Sequence, residues 1–152
     1  MDHPLVATDS SDRSPELIRE AGALAEAAGV PLLVLTVVTR EEFEEDAAVL
    51  ETIGDVEKAA YEPKPAEYAR NVAESAAADL LSGFDVETGT VGRYVDDGDD
   101  RADAILQVAE ELGCDYVFLT GRRRSPAGKA IFGDTAQDVL LSFDGYVVTL
   151  TD

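Results

Sequence analysis

A nearly uninterrupted apolar run, PLLVLTVV at positions 31–38, narrows the possible folds of this chain more than any other feature. A strand with one solvated face alternates apolar and polar residues, so a run without alternation indicates a strand buried on both faces. Strands of that kind occur in parallel sheets that are covered by helices on both sides. The shorter runs LVAT at 5–8, YVFLT at 116–120 and YVVTL at 146–150 have the same character.

Amphipathic helical segments separate these runs, because apolar residues recur there at intervals of three and four. Ser14, followed by Pro15, is predicted to cap the first helix. Further helices are predicted after Pro65, around residues 105–112 and around residues 136–143, with weaker helical character at 41–53. Residues 84–95 alternate as a strand. This order predicts a single domain over residues 1–152, a doubly wound, three-layer α/β fold with a five-stranded parallel sheet.

The charge of the chain is strongly negative. It has 12 Lys and Arg against 32 Asp and Glu, a net charge of −20, yet 45% of its residues are hydrophobic. The apolar content excludes a disordered acidic polymer, and the charge disfavours nucleic acid and anionic membranes as partners. Repulsion among so many negative charges is mild only where salt screens it, which favours the salt-rich cytoplasm of an extreme halophile. An ordinary acidic protein of a mesophile is the alternative. Without an apolar run of about 20 residues or a basic N-terminal region, we expect a cytoplasmic protein.

The loop that follows the run at 116–120 is the main candidate for chemistry. Residues 121–135 hold four of the 12 basic residues and one of the 32 acidic ones, so the loop carries +3 while the remainder carries −23. Gly121 and Gly133 at its two ends let backbone N–H groups approach a ligand, and a helix N-terminus follows. A strand, a basic glycine-containing loop and a helix predict a phosphate-binding site. A solvated loop paired with neighbouring acids is the alternative.

Other motifs are weaker. A P-loop is excluded because Arg123 and Ala130 stand where glycine and Ser or Thr are required. His3 is the single histidine and is expected to be structural, and the lone Cys114 is expected to act as a small hydrophobe. The four aspartates between residues 96 and 100 lack EF-hand spacing and are expected to form a solvated loop.

Three segments together resemble the universal stress protein family, whose ATP-binding members carry G-x2-G-x9-G followed by Ser or Thr. The loop beginning at Gly121 resembles that motif, residues 7–10 (ATDS) resemble the end of the family's first strand, and residues 36–38 (TVV) the end of its second. The resemblance covers essentially the whole chain and implies strand order 3-2-1-4-5. It implies that Asp9 contacts the ribose, that the backbone of Val37 meets adenine, and that the loop holds phosphates. The nucleotide-binding residues are then Ala7, Thr8, Asp9, Val37, Gly121, Arg122, Arg124, Gly128, Gly133, Asp134 and Thr135.

The loop departs from the family motif at two positions. Arg124 occupies the position of the second glycine, and eight residues rather than nine separate Arg124 from Gly133. If Gly133 is taken as the third glycine of the motif, Asp134 occupies the position of the Ser or Thr hydroxyl. In an alignment without a gap, Asp134 occupies the position of the third glycine and Thr135 that of the hydroxyl. Asp134 and Gln137 also have the spacing of a capping box, which would use the same N–H groups as a phosphate. A carboxylate there repels phosphate, an effect that Arg122, Arg124, Lys129 or Mg²⁺ would partly offset.

The functional expectation is a regulatory protein that binds ATP or another adenine nucleotide, with or without Mg²⁺, and is not an enzyme, since no general base stands out. The alternative is an interaction module of the same fold that does not bind nucleotide. An adenylyl-transferring enzyme or a phospho-acceptor receiver would need motifs that are missing. The family resemblance implies a homodimer through the last strand, and with the charge it suggests a haloarchaeal source. The dimer residues would be Tyr146, Val147, Val148, Thr149 and Leu150.

Overall fold

The computed structural model of the chain describes residues 1–9, 13–53, 64–121, 123–124, 131–132 and 134–151; among these, the side chains of 47–53, 123–124, 131–132 and 134 are outside the description. The strands are β1 (Pro4–Thr8), β2 (Leu32–Thr39), β3 (Thr88–Val95), β4 (Tyr116–Gly121), β5 (Arg123–Arg124), β6 (Ile131–Phe132) and β7 (Tyr146–Thr151). The helices are α1 (Ser14–Ala28), α2 (Arg40–Ile53), α3 (Pro65–Leu80), α4 (Arg101–Glu111) and α5 (Asp134–Ser142). A single 3₁₀ turn, Gly98–Asp100, precedes α4.

Five strands form one parallel sheet in the order β3-β2-β1-β4-β7. This confirms the predicted order 3-2-1-4-5, with β7 as the fifth strand. The pairing of β1 with β2 continues to Thr8 opposite Thr36, whereas the pairing of β1 with β4 stops at Val6 opposite Phe118. The carboxyl ends of β1 and β4 are therefore no longer paired as strands, and in a doubly wound sheet this switch point is where a crevice lies.

Helices cover both faces of the sheet, as the unbroken apolar runs predict. Even-numbered strand residues such as Val6, Val34 and Phe118 pack against α1 and α3. Odd-numbered residues such as Leu5, Leu35 and Val117 pack against α4 and α5. None of the described helices is both long enough and apolar enough to cross a membrane.

Several element boundaries differ from those that the sequence predicts. α1 begins at Ser14 itself, with Arg13 as the N-cap residue, and the Ser14 hydroxyl is buried without a hydrogen-bond partner among the described residues. β3 begins at Thr88 rather than Phe84, whose ring packs against the α1–α3 layer instead. The loop after Gly121 contains the short antiparallel pair β5–β6, which the glycine and arginine content did not indicate.

Candidate functional site

The crevice between β1 and β4 lies where the chain changes faces, because β1 leads into α1 on one side of the sheet and β4 leads toward α5 on the other. In doubly wound sheets such a switch point is where ligands bind, beyond the carboxyl ends of the strands. Asp9 follows β1 there directly, and its Oδ2 accepts a hydrogen bond from Thr120 Oγ1 of β4 at 2.6 Å. The two separating strands are thus bridged by a carboxylate at the mouth of the crevice.

The carboxyl ends of β1 and β2 present main chain, because their side chains are buried. Thr8 and Thr36 pair through their hydroxyl groups at 2.8 Å, and both are buried. Ala7 and Val37 are also buried, with their side chains in the core layer under α4 and α5. A ligand at this edge would therefore meet the main chain of β1 and β2, together with the Asp9 carboxylate.

An arginine that the sequence analysis did not single out lies at the same edge of the sheet, where α4 begins. Arg101, the first residue of α4, forms an ion pair with Glu42 of α2. Glu42 is itself fixed by Thr39 at the end of β2, whose hydroxyl donates to Glu42 Oε1 at 2.9 Å and accepts from the Glu42 N–H at 3.2 Å. This reciprocal pairing is a capping box, which the T-x-x-E spacing of Thr39 and Glu42 could have revealed. It also explains why the acidic segment after β2 forms a helix.

The electrostatics of Arg101 link it to Asp9. Burial lowers the pKa of Arg101, and the nearby carboxylate of Asp9 opposes that shift by favouring the charged guanidinium. The side chain of Arg101 is only 19% exposed. No spacing in the sequence connects residues 42 and 101, because the packing of α4 on the sheet brings them together.

The basic loop is described only in part. Gly121 ends β4 and is buried, Arg124 lies in β5, and Thr135, in the first turn of α5, is half-buried. The side chains of Arg124 and Asp134 lie outside the description, as do Arg122, Gly128 and Gly133 altogether. The predicted contacts of these five residues with phosphate therefore stay predictions.

A polar pocket of about 380 Å³ lies above the ends of β2 and β3. Arg101 lies in its wall, together with Thr39, Glu42 and residues 96–98 of the aspartate loop. In that loop Asp97 accepts from the Asp99 N–H at 3.1 Å, the geometry of a turn. Within the described residues, no three histidine, cysteine, aspartate or glutamate side chains form a group that could hold a metal ion.

This architecture is similar to that of known proteins. The family model described as the universal stress protein family matches residues 1–149. A universal stress protein from Archaeoglobus fulgidus is 25% identical with a TM-score of 0.62, and the match covers 98% of each chain. A structure of the universal stress protein from A. fulgidus in complex with dAMP is 18% identical with a TM-score of 0.60, covering 98% of this chain and 97% of that one. A universal stress protein in complex with cAMP is 18% identical with a TM-score of 0.61, covering 99% and 96%. No curated protein matches the chain.

Proposed function

The chain belongs to the universal stress protein family, and from that premise we propose that it binds an adenine nucleotide of the ATP type at the carboxyl edge of its sheet. The complexes of similar structures with dAMP and cAMP support an adenine nucleotide as the ligand class. The protein would act as a binding and sensing component rather than as an enzyme.

The hydrogen bond from Thr120 to Asp9 across the separated ends of β1 and β4 is the observation that carries this proposal. A carboxylate can accept several hydrogen bonds, so Asp9 can receive a ribose hydroxyl beside the hydroxyl of Thr120. The adenine edge would then lie over the main chain of Val37, since the side chain of Val37 is buried below it. Asp9 and Val37 stand at the ends of neighbouring strands, as the two halves of a nucleoside require.

The phosphates would lie toward the loop between β4 and α5. We assign their contacts to the backbone at Gly121, Gly128 and Gly133 and to the side chains of Arg122 and Thr135, with Arg124 contributing charge. The N-terminus of α5 adds its partial positive charge. Asp134 at that position opposes a triphosphate, and a Mg²⁺ ion bound mainly through the phosphates would offset the repulsion.

Rapid hydrolysis is not part of the proposal. An efficient general base has a pKa near the working pH, whereas an ordinary aspartate titrates near 3.9. Asp134 is the one carboxylate in the proposed phosphate segment, 121–135. We therefore expect bound ATP to be recovered intact over the course of a binding experiment.

Substitution of Asp9 tests the proposal directly. Asp9→Asn keeps the size of the side chain and removes its charge, so we expect the dissociation constant for AMP to rise about tenfold. Asp79→Asn is the matched control, because Asp79 is exposed on α3 and carries the same charge. Equal affinities for the two variants would contradict the placement of the ribose at Asp9.

A second function, an interaction module without nucleotide, is favoured by one observation. Arg124, which stands at the second glycine of the family motif, pairs with Ile131 in the β5–β6 hairpin. A loop paired with itself has fewer backbone N–H groups to offer a phosphate, and its arginines could instead dock an acidic partner. Asp134→Ser separates the two functions: ATP binding that appears only in this variant would mark a lapsed nucleotide site.

We also propose a homodimer through β7. This strand is at the edge of the sheet and pairs with β4 alone among the described strands. Residues Tyr146, Val147, Val148, Thr149 and Leu150 lack the lysine or proline that protects an exposed edge. Tyr146 is 64% exposed and Leu141, in the preceding helix, is 77% exposed. Sedimentation of Tyr146→Lys should show monomer at concentrations where the unaltered chain is dimeric.

The last part of the proposal concerns the salt concentration in which the protein works. A net charge of −20 supports a salt-rich cytoplasm, such as that of a haloarchaeon, as the working compartment. The binding experiments are therefore designed in about 2 M KCl, where the screening length is about 3 Å or less.

A further inference from the structure

The edge of the sheet opposite β7 is formed by β3 (Thr88–Val95), which pairs with β2 alone among the described strands. The N–H of Leu32 in β2 donates to the Glu87 carbonyl at 2.8 Å, and Leu32 is the register partner of Thr88. Main-chain groups of successive residues in a strand point to opposite sides. The N–H and C=O groups of residues 88, 90, 92 and 94 therefore point away from β2, toward the open edge.

The carboxyl half of this edge is protected by an arginine. Arg93 Nη1 donates to the Gly92 carbonyl at 3.1 Å, and the same guanidinium pairs with Glu111 of α4 at 3.4 Å. A charged side chain over an edge strand prevents further strand pairing. Residues 88–90, in the amino half, include no lysine, arginine or proline. Within the described part of the chain, the outward main-chain groups of Thr88 and Thr90 have no hydrogen-bond partner.

A groove of about 520 Å³ lies along this unprotected half of β3. Thr88 and Thr90 line it on the strand side, and residues of α3 line it on the other side. Its apolar lining includes Leu81, which is 4% exposed, and Phe84, which packs against the core layer of α1 and α3. The groove is therefore built on the packed core, next to main-chain groups that can pair with another strand.

The surroundings of the groove are acidic. Residues 71–92 contain no lysine or arginine, and their four acidic residues are all exposed: Glu74, Asp79, Asp85 and Glu87. Glu74 lines the groove and pairs with Arg70, one turn earlier on α3, at 3.3 Å. Exposed pairs of this kind contribute little, so Glu74 can exchange Arg70 for another cation. A second copy of the chain would bring the same acids to this edge, whereas a basic segment complements them.

We propose that the groove along β3 is a docking site for an extended basic segment of a partner protein, which adds to the sheet as a sixth strand. The main chain of the segment would pair with Thr88 and Thr90, which is the β-augmentation mode of peptide recognition. Alternate side chains of a strand face the same side. An apolar side chain of the segment would thus lie over Leu81 and Phe84, and a lysine or arginine two residues away would reach Glu74. The site does not depend on nucleotide binding, which we place at the carboxyl edge of the sheet.

The test measures binding of the fluorescein-labelled heptapeptide amide GTVTKTG to the full chain, by fluorescence anisotropy in about 0.5 M KCl. Thr90→Pro is the key variant, because proline is tolerated on an edge strand where the N–H faces outward, and it removes that donor. Thr90→Val is the matched control, since valine keeps the N–H. Glu74→Gln tests the charge, and Glu67→Gln is its control, because Glu67 is exposed on α3 outside the groove lining. Circular dichroism confirms that each variant is folded.

Three modified peptides complete the design. In GTVTETG the lysine is replaced by glutamate. Two N-methylated versions of GTVTKTG block alternate main-chain nitrogens, one on the threonines and the other on the valine and lysine. Because only alternate N–H groups of a strand face its neighbour, one methylated peptide should lose binding and the other should keep it.

We expect the unaltered chain and Thr90→Val to bind GTVTKTG equally, and Thr90→Pro to bind it about tenfold more weakly, because a main-chain hydrogen bond is lost. GTVTETG should bind the unaltered chain about threefold more weakly than GTVTKTG. Glu74→Gln should weaken the binding of GTVTKTG by a similar factor, and Glu67→Gln should leave it unchanged.

Four results would overturn the inference. Absence of GTVTKTG binding to the folded, unaltered chain at about 1 mM peptide would exclude the docking site. Equal effects of the two methylations would exclude strand addition, and this comparison needs no variant to fold. Equal binding of GTVTETG and GTVTKTG would exclude a basic partner. A lower oligomeric state of Thr90→Pro than of Thr90→Val in sedimentation would assign the groove to a second copy of the chain.

Discussion

Replacement of Thr8 by valine removes one of the two hydroxyl groups that pair inside the sheet beneath the Asp9 crevice. Thr8 and Thr36 are 8% and 4% exposed, and their Oγ1 atoms lie 2.8 Å apart, so each hydroxyl is satisfied by the other. Valine has the same shape without the polar group. The remaining hydroxyl is then buried without its partner, which costs about 1–3 kcal/mol.

The double variant separates this penalty from the packing of the site. We expect Thr8→Val and Thr36→Val each to lower the free energy of unfolding by about 1.5 kcal/mol, which corresponds to a fall in Tm of about 3–6 °C for a chain of this size. When both are replaced, no unpaired polar group remains, so the loss should be about 1 kcal/mol or less. The two substitutions should therefore be far from additive.

Urea unfolding monitored by circular dichroism, at fixed protein concentration in about 2 M KCl, measures the four free energies of this cycle. A coupling of about 2 kcal/mol between the two sites is expected. If the losses simply add to within about 0.5 kcal/mol, the two hydroxyl groups do not satisfy each other and the reasoning is refuted.

Further predictions concern packing, pH and salt. Gly92→Ala should destabilise the fold by about 3 kcal/mol, because a Cβ there would meet the main chain of α3 at residues 66 and 70 and lie 2.8 Å from the carbonyl carbon of Ala69. Gly98→Ala, where a Cβ meets nothing within 4 Å, is the control, and similar urea midpoints for the two would contradict the close approach of α3. Burial raises the pKa of Asp115, but backbone hydrogen bonds from His3 and Asp2, with the N-terminal ammonium, lower it overall. The ionised Asp115 carboxylate should therefore contribute its full stabilisation above about pH 4 and lose it as the pH falls through the lowered pKa. Asp115→Asn should lower the free energy of unfolding at pH 7 and should lower it progressively less below pH 4. An equal loss at pH 7 and pH 2.5 would refute this. The Tm should rise as KCl is raised from 0.1 M to 2 M, since screening relieves the repulsion of a −20 chain, and a Tm independent of KCl would contradict adaptation to salt.

The layers of the fold could be predicted from sequence because each unbroken apolar run indicates a strand that is covered on both faces. The run at 31–38 corresponds to β2 (Leu32–Thr39), and the run at 146–150 corresponds to β7 (Tyr146–Thr151). The boundaries were harder to predict where tertiary contacts override local preference. Ser14 has the residue type of an N-cap, yet it is buried inside α1 because Arg13 takes that place and donates to the Thr151 carbonyl at 2.5 Å.

The candidate site was predictable only where residues adjoin in sequence. Asp9 follows the first strand and Gly121 ends the fourth, so parallel strand ends imply that they share an edge of the sheet. The T-x-x-E pattern of Thr39 and Glu42 is also local, and it indicates the capping box at the start of α2. Arg101 could not be found in this way, because it pairs with Glu42 across 59 positions of the chain, and only the packing of α4 on the sheet brings the two together.

Calorimetric titration of the purified, folded chain with ATP in about 2 M KCl, with and without Mg²⁺, tests the central claim most directly. We expect saturable binding of about one nucleotide per chain, lost or strongly weakened in Asp9→Asn, with the ATP recovered intact afterwards. Absence of binding of both ATP and AMP to the folded chain would contradict the proposed nucleotide site and favour the interaction module.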